Sequence, residues 1–405
     1  MKPAVGERIE LEVTKVVHGG LGLARHSGFV VFVRGALPRE RVVAEVIDVK
    51  KNHSFAELVD VLTPSSMRVP HVWPEGEYTR PVNARAGGAD YGHIELGYQR
   101  ALKTEILRDA LVRFGKVDQS IADSVTVSAI PGDTDGLHWR TRVGLQVNQL
   151  GQAGPFAEGT HSVVPVGSVP LAVDEIEGLG IHAQDWSGHA RIRLVKPSGS
   201  EPRLILDDQK EKTIIERAGG HDFQLSDQGF WQVHRLAAET LFEEVGRRAG
   251  NIEISEDSVS WDLYGGVGLF ARAIAQVGGD KVRVTSVESN TAASRYASQN
   301  LQDVAGAECV EADTLRFLRS VSNDPLELGV VVLDPPRSGA NKEIVDLVTK
   351  KNPSGIVYVA CDPVALGRDL SYFAERGYEP TEIKGLDLFP HTHHMEAVAT
   401  LRPAG

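Results

Sequence analysis

The sequence predicts an α/β catalytic unit preceded by a small β-barrel and a β-rich middle segment. Three observations predict it. Strand-like runs with alternating polarity crowd residues 1–62. Short β-like runs broken by Gly and Pro fill most of 63–225. From Ser226 onward, apolar strand-like runs alternate with helical stretches through 226–405, the pattern of a parallel sheet covered by helices. A chain of 405 residues is too long for one ordinary domain, and these three segments are the expected units.

In the first unit, Ile9, Leu11 and Val13 alternate with Glu10, Glu12 and Thr14, the period of a half-buried strand. Gly19, Gly20 and Gly22 break the chain. Three further strand-like runs come next, at Gly28–Val33, Arg41–Val49 and Phe55–Leu62. So many short strands suggest a five-stranded barrel of the OB type, a frequent platform for nucleic acid. Fold alone does not fix function, so a β-module with no ligand is the plain alternative.

Thr63 to Gly92 reads as a long connection. In the stretch 96–114, Leu102, Ile106, Ala110 and Phe114 recur at helical spacing, with Leu107 and Leu111 beside them. The β-like runs at Arg142–Val147 and Arg191–Val195 belong to the middle unit.

Composition bounds the function. The apolar and charged fractions, 41% and 24%, are those of a soluble globular protein. No run is long and apolar enough to span a bilayer, and Met1 to Glu12 has no apolar signal core. The cytoplasm is the expected location and a monomer the expected state. The net charge of −12 argues against recognition through a broad basic surface, though not against a local basic channel. The two cysteines, Cys309 and Cys361, exclude a disulfide framework and a four-cysteine metal cluster.

The chemistry concentrates in the last unit. A strand over Val259–Leu263 leads into Asp262-Leu-Tyr-Gly-Gly-Val-Gly-Leu-Phe270, followed by a helix through Ala271–Gln276. The glycines at 265, 266 and 268 allow a sharp turn and a close approach to a ligand. The spacing is not the dinucleotide fingerprint. The next strand ends in Glu288, placed as a ribose-binding carboxylate is in a doubly wound sheet. Strands at Glu308–Val310, Val330–Leu333 and Ile356–Ala360 lead to Asp313, Asp334-Pro-Pro-Arg337 and Cys361-Asp-Pro363. Polar or reactive residues thus end five successive strands, on the edge where open α/β sheets bind ligands.

Cys309 lies mid-strand and is expected to be a buried small hydrophobe. Cys361 ends a strand and is the candidate nucleophile; it needs an environment that favours the thiolate. Glu396 can accept a proton at the mouth of the site. His391, His393 and His394 lack the paired spacing of a zinc site, and no metal is expected.

Phe230-Trp-Gln-Val233, Asp262 to Phe270, Asp334-Pro-Pro-Arg337, Tyr358 to Leu370 and Phe389 to Glu396, in this order and spacing, resemble the bacterial RNA (uracil-5-)-methyltransferases with an N-terminal TRAM domain. The resemblance covers nearly the whole chain. It implies a TRAM barrel, a central β-rich domain and a Rossmann-like methyltransferase domain. It implies that Gln232, Asp262, Tyr264, Gly266, Gly268, Glu288 and Asp313 hold S-adenosylmethionine, with Asp334 at the join between cofactor and uracil. Cys361 would add to the base and Glu396 would remove the carbon 5 proton. The implied partner is RNA, ribosomal or transfer, whose target base leaves its stack to be reached.

The sequence departs from the family at several points. Many members carry an iron-sulfur cluster on a Cys-x-x-x-x-x-Cys-Gly-Gly-Cys run and one later Cys. Here the run reads Ala86-Gly-Gly-Ala89 and the later position falls near Val169, so no cluster is expected. Gly265 replaces a usual Cys, Asp362 a usual Asn, and His234 stands where Asn is common. Asp362, beside Cys361, is expected to raise the thiol's pKa. Arg337 after Asp334-Pro-Pro argues against an amino-group methylase, and Ala360 before the Cys against a cytosine-5 enzyme. A catalytically inactive RNA-binding protein or folding factor on the same frame is the alternative from another class.

Overall fold

A computed structural model describes residues 2–207, 209–252, 254, 258–279, 282–321 and 327–404. Strands Arg8–Val17, Leu21–His26, Phe29–Arg34, Arg41–Val49 and His53–Thr63 close into a five-stranded barrel. Ile9, Leu11 and Val13 point inward with Val31, Val33, Val42 and Ala44, while Glu10 and Glu12 face solvent. The first strand is bulged between Val13 and Lys15. A bulge bends its strand and re-aims the side chains beyond it. Val16 accordingly leaves the barrel core and packs with Leu102, Ile106 and Leu107.

Thr63 to Gly92, expected as a connection, is a packed segment. His71, Trp73, Tyr78, Arg85, Ala86 and Ala89 are all buried there. Ala86 and Ala89 join Trp73, Trp139 and Leu171 in one apolar cluster, against which Val169 packs. The helix runs over Leu96–Arg113. Its buried face holds Leu102, Ile106, Leu107, Ala110 and Leu111 as the spacing predicts, and also Gln99 and Lys103. Phe114 departs from that expectation. It caps the helix end and is 42% exposed, because the chain turns away at Gly115.

The middle segment contains an antiparallel sheet in the order Arg203–Leu206, Arg191–Val195, Arg142–Val147, Ala153–Gly154. The hairpin Thr213–Ala218/His221–Ser226 packs instead on the helices of the last unit, through Ile214, Phe223 and Leu225.

That unit is built on an eight-stranded sheet. Its order is Ala307–Glu311, Arg283–Glu288, Val259–Leu263, Leu328–Leu333, Gly355–Ala360, Glu396–Pro403, Tyr378–Leu386 and Val127–Ser128. The first five are mutually parallel, and Glu396–Pro403 runs antiparallel to both its neighbours. Leu328–Leu333 and Gly355–Ala360 are buried along their whole length, as strands covered by helices on both faces must be. Cys309 corrects the expectation of a buried residue. It lies mid-strand but is only half-buried, because Ala307–Glu311 is the edge strand.

Candidate active site

Strand register assembles the site. Leu263 pairs with Val287 on one side and Leu333 on the other, and Leu333 pairs with Tyr358. Ala360 pairs with Ala397 across the antiparallel step. One sheet edge therefore carries Asp262, Glu288, Asp334, Cys361 and Glu396. Asp313 lies just past Glu311, the partner of Glu288, and caps the helix Thr314–Ser320 by accepting the Arg316 N–H at 3.1 Å.

The turn after Leu263 is strained and open. Tyr264 holds a φ of +67°, where a bulky side chain costs on the order of 1 kcal/mol or more. Gly266 has a φ of +55° with open space where a Cβ would stand. Its N–H donates to Glu288 Oε2 at 3.0 Å, which ties the turn to the next strand. A Cβ on Gly265 would lie 2.1 Å from Ser286 Oγ and 3.0 Å from Asp262 Oδ2. The serine occupies the space that a larger residue at 265 would need.

Four acidic groups crowd the centre. Asp262 is fully buried; Oδ2 accepts the Ala271 N–H at 2.9 Å, whereas Oδ1 has no partner. Burial, reinforced by the charge of Glu288, pushes its carboxyl up to about 7. Asp334 is also pushed up to about 7, by burial and then by Asp262. Glu396 is buried, its Oε1 has no partner, and burial with the nearby Asp334 holds its carboxyl well above the usual range. The Cys361 thiol is pushed up to about 12 by burial, then by Glu396 and Asp334, with Arg337 opposing. Arg337 is thus the cation that favours the thiolate.

The expected effect of Asp362 needs correction. Its Oδ1 accepts the N–H groups of Val364 at 3.0 Å and Ala365 at 2.8 Å, capping the helix Pro363–Ala374. Its Oδ2 lies 3.3 Å from His18 Nε2. Glu396 and Asp334, not Asp362, are the charges that raise the thiol.

The structure does not place Gln232 in this cluster by any contact. It lines a separate cavity of about 220 Å³ with Trp231, His234 and Lys196. His234 is buried and stacked on Trp139, and its Nδ1 accepts the Leu236 N–H at 3.1 Å. The three histidines near the C-terminus diverge. His391 contacts Gln99 and the Asp135 carbonyl, His393 Nδ1 lies 2.6 Å from Asp90 Oδ2, and His394 Nε2 lies 3.4 Å from an Arg337 nitrogen.

Sequence reasoning missed the residues that hold the site in place. Lys103, fully buried, donates to Asp387 Oδ1 at 2.5 Å and to the Phe389 carbonyl at 3.0 Å. Arg100 Nε donates to the other oxygen of Asp387 at 3.1 Å. Gln99 Oε1 accepts the His391 N–H at 2.8 Å. One helix face therefore grips the loop that delivers Glu396. Gln99 and Lys103, polar residues at the helical spacing of the apolar face, were the available signal. On the other flank, Tyr358 Oη donates to Asp369 Oδ2 at 2.6 Å, and the same oxygen accepts the Ala340 N–H at 2.7 Å. This fixes the loop after Asp334 to the helix that begins beyond Cys361.

Cys361 faces a cavity of about 80 Å³ lined by His18, Arg337, Asp362, His393 and Met395. His18 and Ile106 also line a groove of about 600 Å³ between the barrel and the helix Leu96–Arg113. Among the described residues, no group of three side chains is arranged to hold a metal, and no helix is long and apolar enough to cross a membrane.

Known proteins resemble this chain in sequence and in fold. Residues 251–403 match the family model of tRNA (uracil-5-)-methyltransferases, and residues 3–59 match the TRAM domain. An uncharacterized RNA methyltransferase of Streptomyces avermitilis is 35% identical, over 99% of this chain and 99% of its own length. One from Streptomyces coelicolor is 34% identical, over 99% of this chain and 94% of its own. The fold is similar to that of the tRNA (uracil-54, C5)-methyltransferase of Pyrococcus abyssi, solved with S-adenosyl-L-homocysteine. That likeness has a TM-score of 0.71 at 22% identity, over 96% of this chain and 100% of the other. With an N-terminal TRAM barrel and a methyltransferase domain of the uracil-5 type, the chain belongs to the RNA methyltransferase family of these bacterial relatives.

Proposed function

We propose that this protein methylates carbon 5 of a uridine in structured RNA, ribosomal or transfer, using S-adenosylmethionine and a covalent bond from Cys361 to carbon 6 of the base. The observation that carries this is the strand pair Ala360↔Ala397, which sets a thiol and a buried, unpartnered carboxyl side by side at the sheet edge.

The residues present fit the cofactor. Asp262 Oδ1 and Glu396 Oε1 are buried acidic atoms without partners, and Gly266 leaves open space beside Glu288. Buried carboxyls of this kind suit hydroxyl donors and a cation. Asp262, Tyr264, Gly266, Gly268, Glu288, Asp313 and Asp334 would hold it, with Gln232 approaching from its own cavity. S-adenosylmethionine supplies an electrophilic methyl group on a cationic sulfonium. The cofactor product bound in the Pyrococcus abyssi structure supports this assignment.

The chain's own residues do the rest. Uracil carbon 5 is a weak nucleophile. Addition of the Cys361 thiolate to carbon 6 sends an electron pair toward carbon 5 and the adjacent carbonyl, which activates carbon 5. After methylation, the Glu396 carboxylate takes the carbon 5 proton. The carbon–sulfur bond then breaks and the thiolate leaves. A buried Glu with a raised pKa is a stronger base once ionised, which suits that proton transfer.

The alternative from another class is a non-catalytic RNA-binding protein or folding factor on the same frame. A methyl-transfer assay decides between them. Labelled S-adenosylmethionine and total RNA from cells lacking this gene are incubated with the protein, and the RNA is digested to nucleosides. New 5-methyluridine in one RNA size class is expected. No label in RNA, from folded protein that binds the cofactor, would overturn this reading in favour of the alternative.

A further inference from the structure

The barrel reaches into the pocket of the thiol. Beyond the bulge at Val13/Lys15, the first strand turns its end toward the helix Leu96–Arg113, and the next turn carries His18, Gly19 and Gly20. His18 and Gly19 line the same cavity as Cys361. Gly20 seats this turn against the catalytic unit. Its φ is +76°, and a Cβ there would stand 2.9 Å from the Cβ of His393 and 3.2 Å from Asp90 Oδ2. His18 is thereby delivered to the residue next to the thiol, with Nε2 3.3 Å from Asp362 Oδ2.

We propose that His18 is a positioning residue for the nucleophile: packed beside Oδ2, it keeps the Asp362 carboxylate turned into the helix cap, so that this charge does not bear on Cys361. The role rests on Cys361 being the nucleophile proposed above. The reason is one of occupancy. A carboxylate one residue from a thiol disfavours the thiolate unless its lone pairs are engaged elsewhere. Oδ1 of Asp362 takes two backbone N–H groups, and Oδ2 has the imidazole. Two donors come from the helix itself, and the barrel brings an imidazole to within 3.3 Å of the remaining oxygen. Reactivity of the thiol therefore depends on how the TRAM barrel is seated, and a ligand bound by the barrel can alter it.

The test is alkylation of Cys361 by iodoacetamide, with mass spectrometry of its peptide so that Cys309 does not interfere. Four full-length proteins are compared across pH: the unmodified chain, His18→Ala, Asp362→Asn, and the double variant. The other charges acting on the thiol, Glu396, Asp334 and Arg337, are the same in all four. His18→Ala should slow alkylation on the order of tenfold, the effect of about one unit in the thiol's pKa. In the Asp362→Asn background the same change should alter the rate less than about twofold, because no carboxylate is left to hold. His18→Gln, which keeps a polar side chain beside Asp362 Oδ2, should recover most of the rate. His18→Leu fills the space without a donor and repeats the cycle should the alanine variant fold poorly. Equal slowing in both backgrounds, or none in either, overturns the proposal. Methyl transfer by the unmodified protein is scored separately. Its absence would count against the reaction proposed above, while the alkylation cycle still reports on His18 and Asp362.

Discussion

Replacing Lys103 with methionine tests whether the helix Leu96–Arg113 holds the loop of the proposed base. Lys103 and Asp387 are both fully buried, and the ammonium contacts Asp387 Oδ1 at 2.5 Å and the Phe389 carbonyl at 3.0 Å. Breaking one side of a buried pair costs about 3–5 kcal/mol, because the remaining charge is stranded. Here Asp387 keeps Arg100 Nε at 3.1 Å, so the cost belongs at the low end, about 3 kcal/mol. For a cooperative unit of this size, that corresponds to a fall in Tm of roughly 6–12 °C, measured by calorimetry. Asp387→Asn added to Lys103→Met removes the stranded charge and should restore about half of the loss. Because Phe389 lies on the loop leading to Glu396, turnover of the folded single variant should fall more than its cofactor affinity. A Tm within about 1 °C of the unmodified protein, or no recovery in the double variant, would refute the reasoning.

Four further outcomes are expected. Cys361→Ala should abolish methyl transfer and leave cofactor affinity by calorimetric titration within about twofold; a large loss of affinity would make the residue structural. Glu396→Gln should still form the bond to RNA but fail to release it, giving a denaturation-resistant protein–RNA band on gels; a variant with neither band nor turnover would contradict its role as base. Asp262 has a folded pKa raised to about 7 from an ordinary 3.8, so the unfolded chain loses its proton first. Its contribution to stability is present below about 4 and is lost as pH rises to about 7. Urea unfolding across that window should show a shallower slope for Asp262→Asn, and an unchanged slope would contradict the shift. Gly265→Ala should destabilise the protein by about 1–3 kcal/mol through overpacking on Ser286 Oγ; adding Ser286→Gly should recover much of it in the same unfolding assay.

The central sheet was legible because its strands obey the rule that makes parallel strands readable. Leu328–Leu333 and Gly355–Ala360 are buried on both faces and so appear as unbroken apolar runs between helical stretches. The residues that end them were legible for the same reason, since a strand's carboxyl end is fixed once its apolar run is found. The reading failed where structure is decided by distant partners. Val127–Ser128 is two residues long and joins the sheet only by pairing with Gly385 and Leu386. Thr63 to Gly92 looks like a connection because its Gly, Pro and polar residues carry no period. It is packed because Trp73, Ala86 and Ala89 meet Trp139 and Leu171 from elsewhere in the chain.

Asp362 shows most clearly how a sequence leaves part of a site unread. Its neighbour in the chain is the thiol, and proximity alone assigns it a harmful charge. The effect of a carboxylate depends on where its oxygens are aimed and which groups they meet, not on how many bonds separate it from the affected group. The backbone at Asp362 is extended, with φ −127° and ψ 115°, the conformation of a helix cap. That conformation turns Oδ1 onto the N–H groups of Val364 and Ala365 and leaves Oδ2 beside His18. Glu396 lies far along the chain from Cys361, but strand pairing brings it alongside the thiol, and Asp334 arrives by the same sheet. Besides burial, the carboxyls that raise the thiol are thus remote in sequence, and the adjacent one is engaged elsewhere. What bears on Cys361 is therefore set by the fold rather than by chain proximity: burial acts first, Glu396 and Asp334 add to it, and Arg337, which lines the same cavity as the thiol, opposes them.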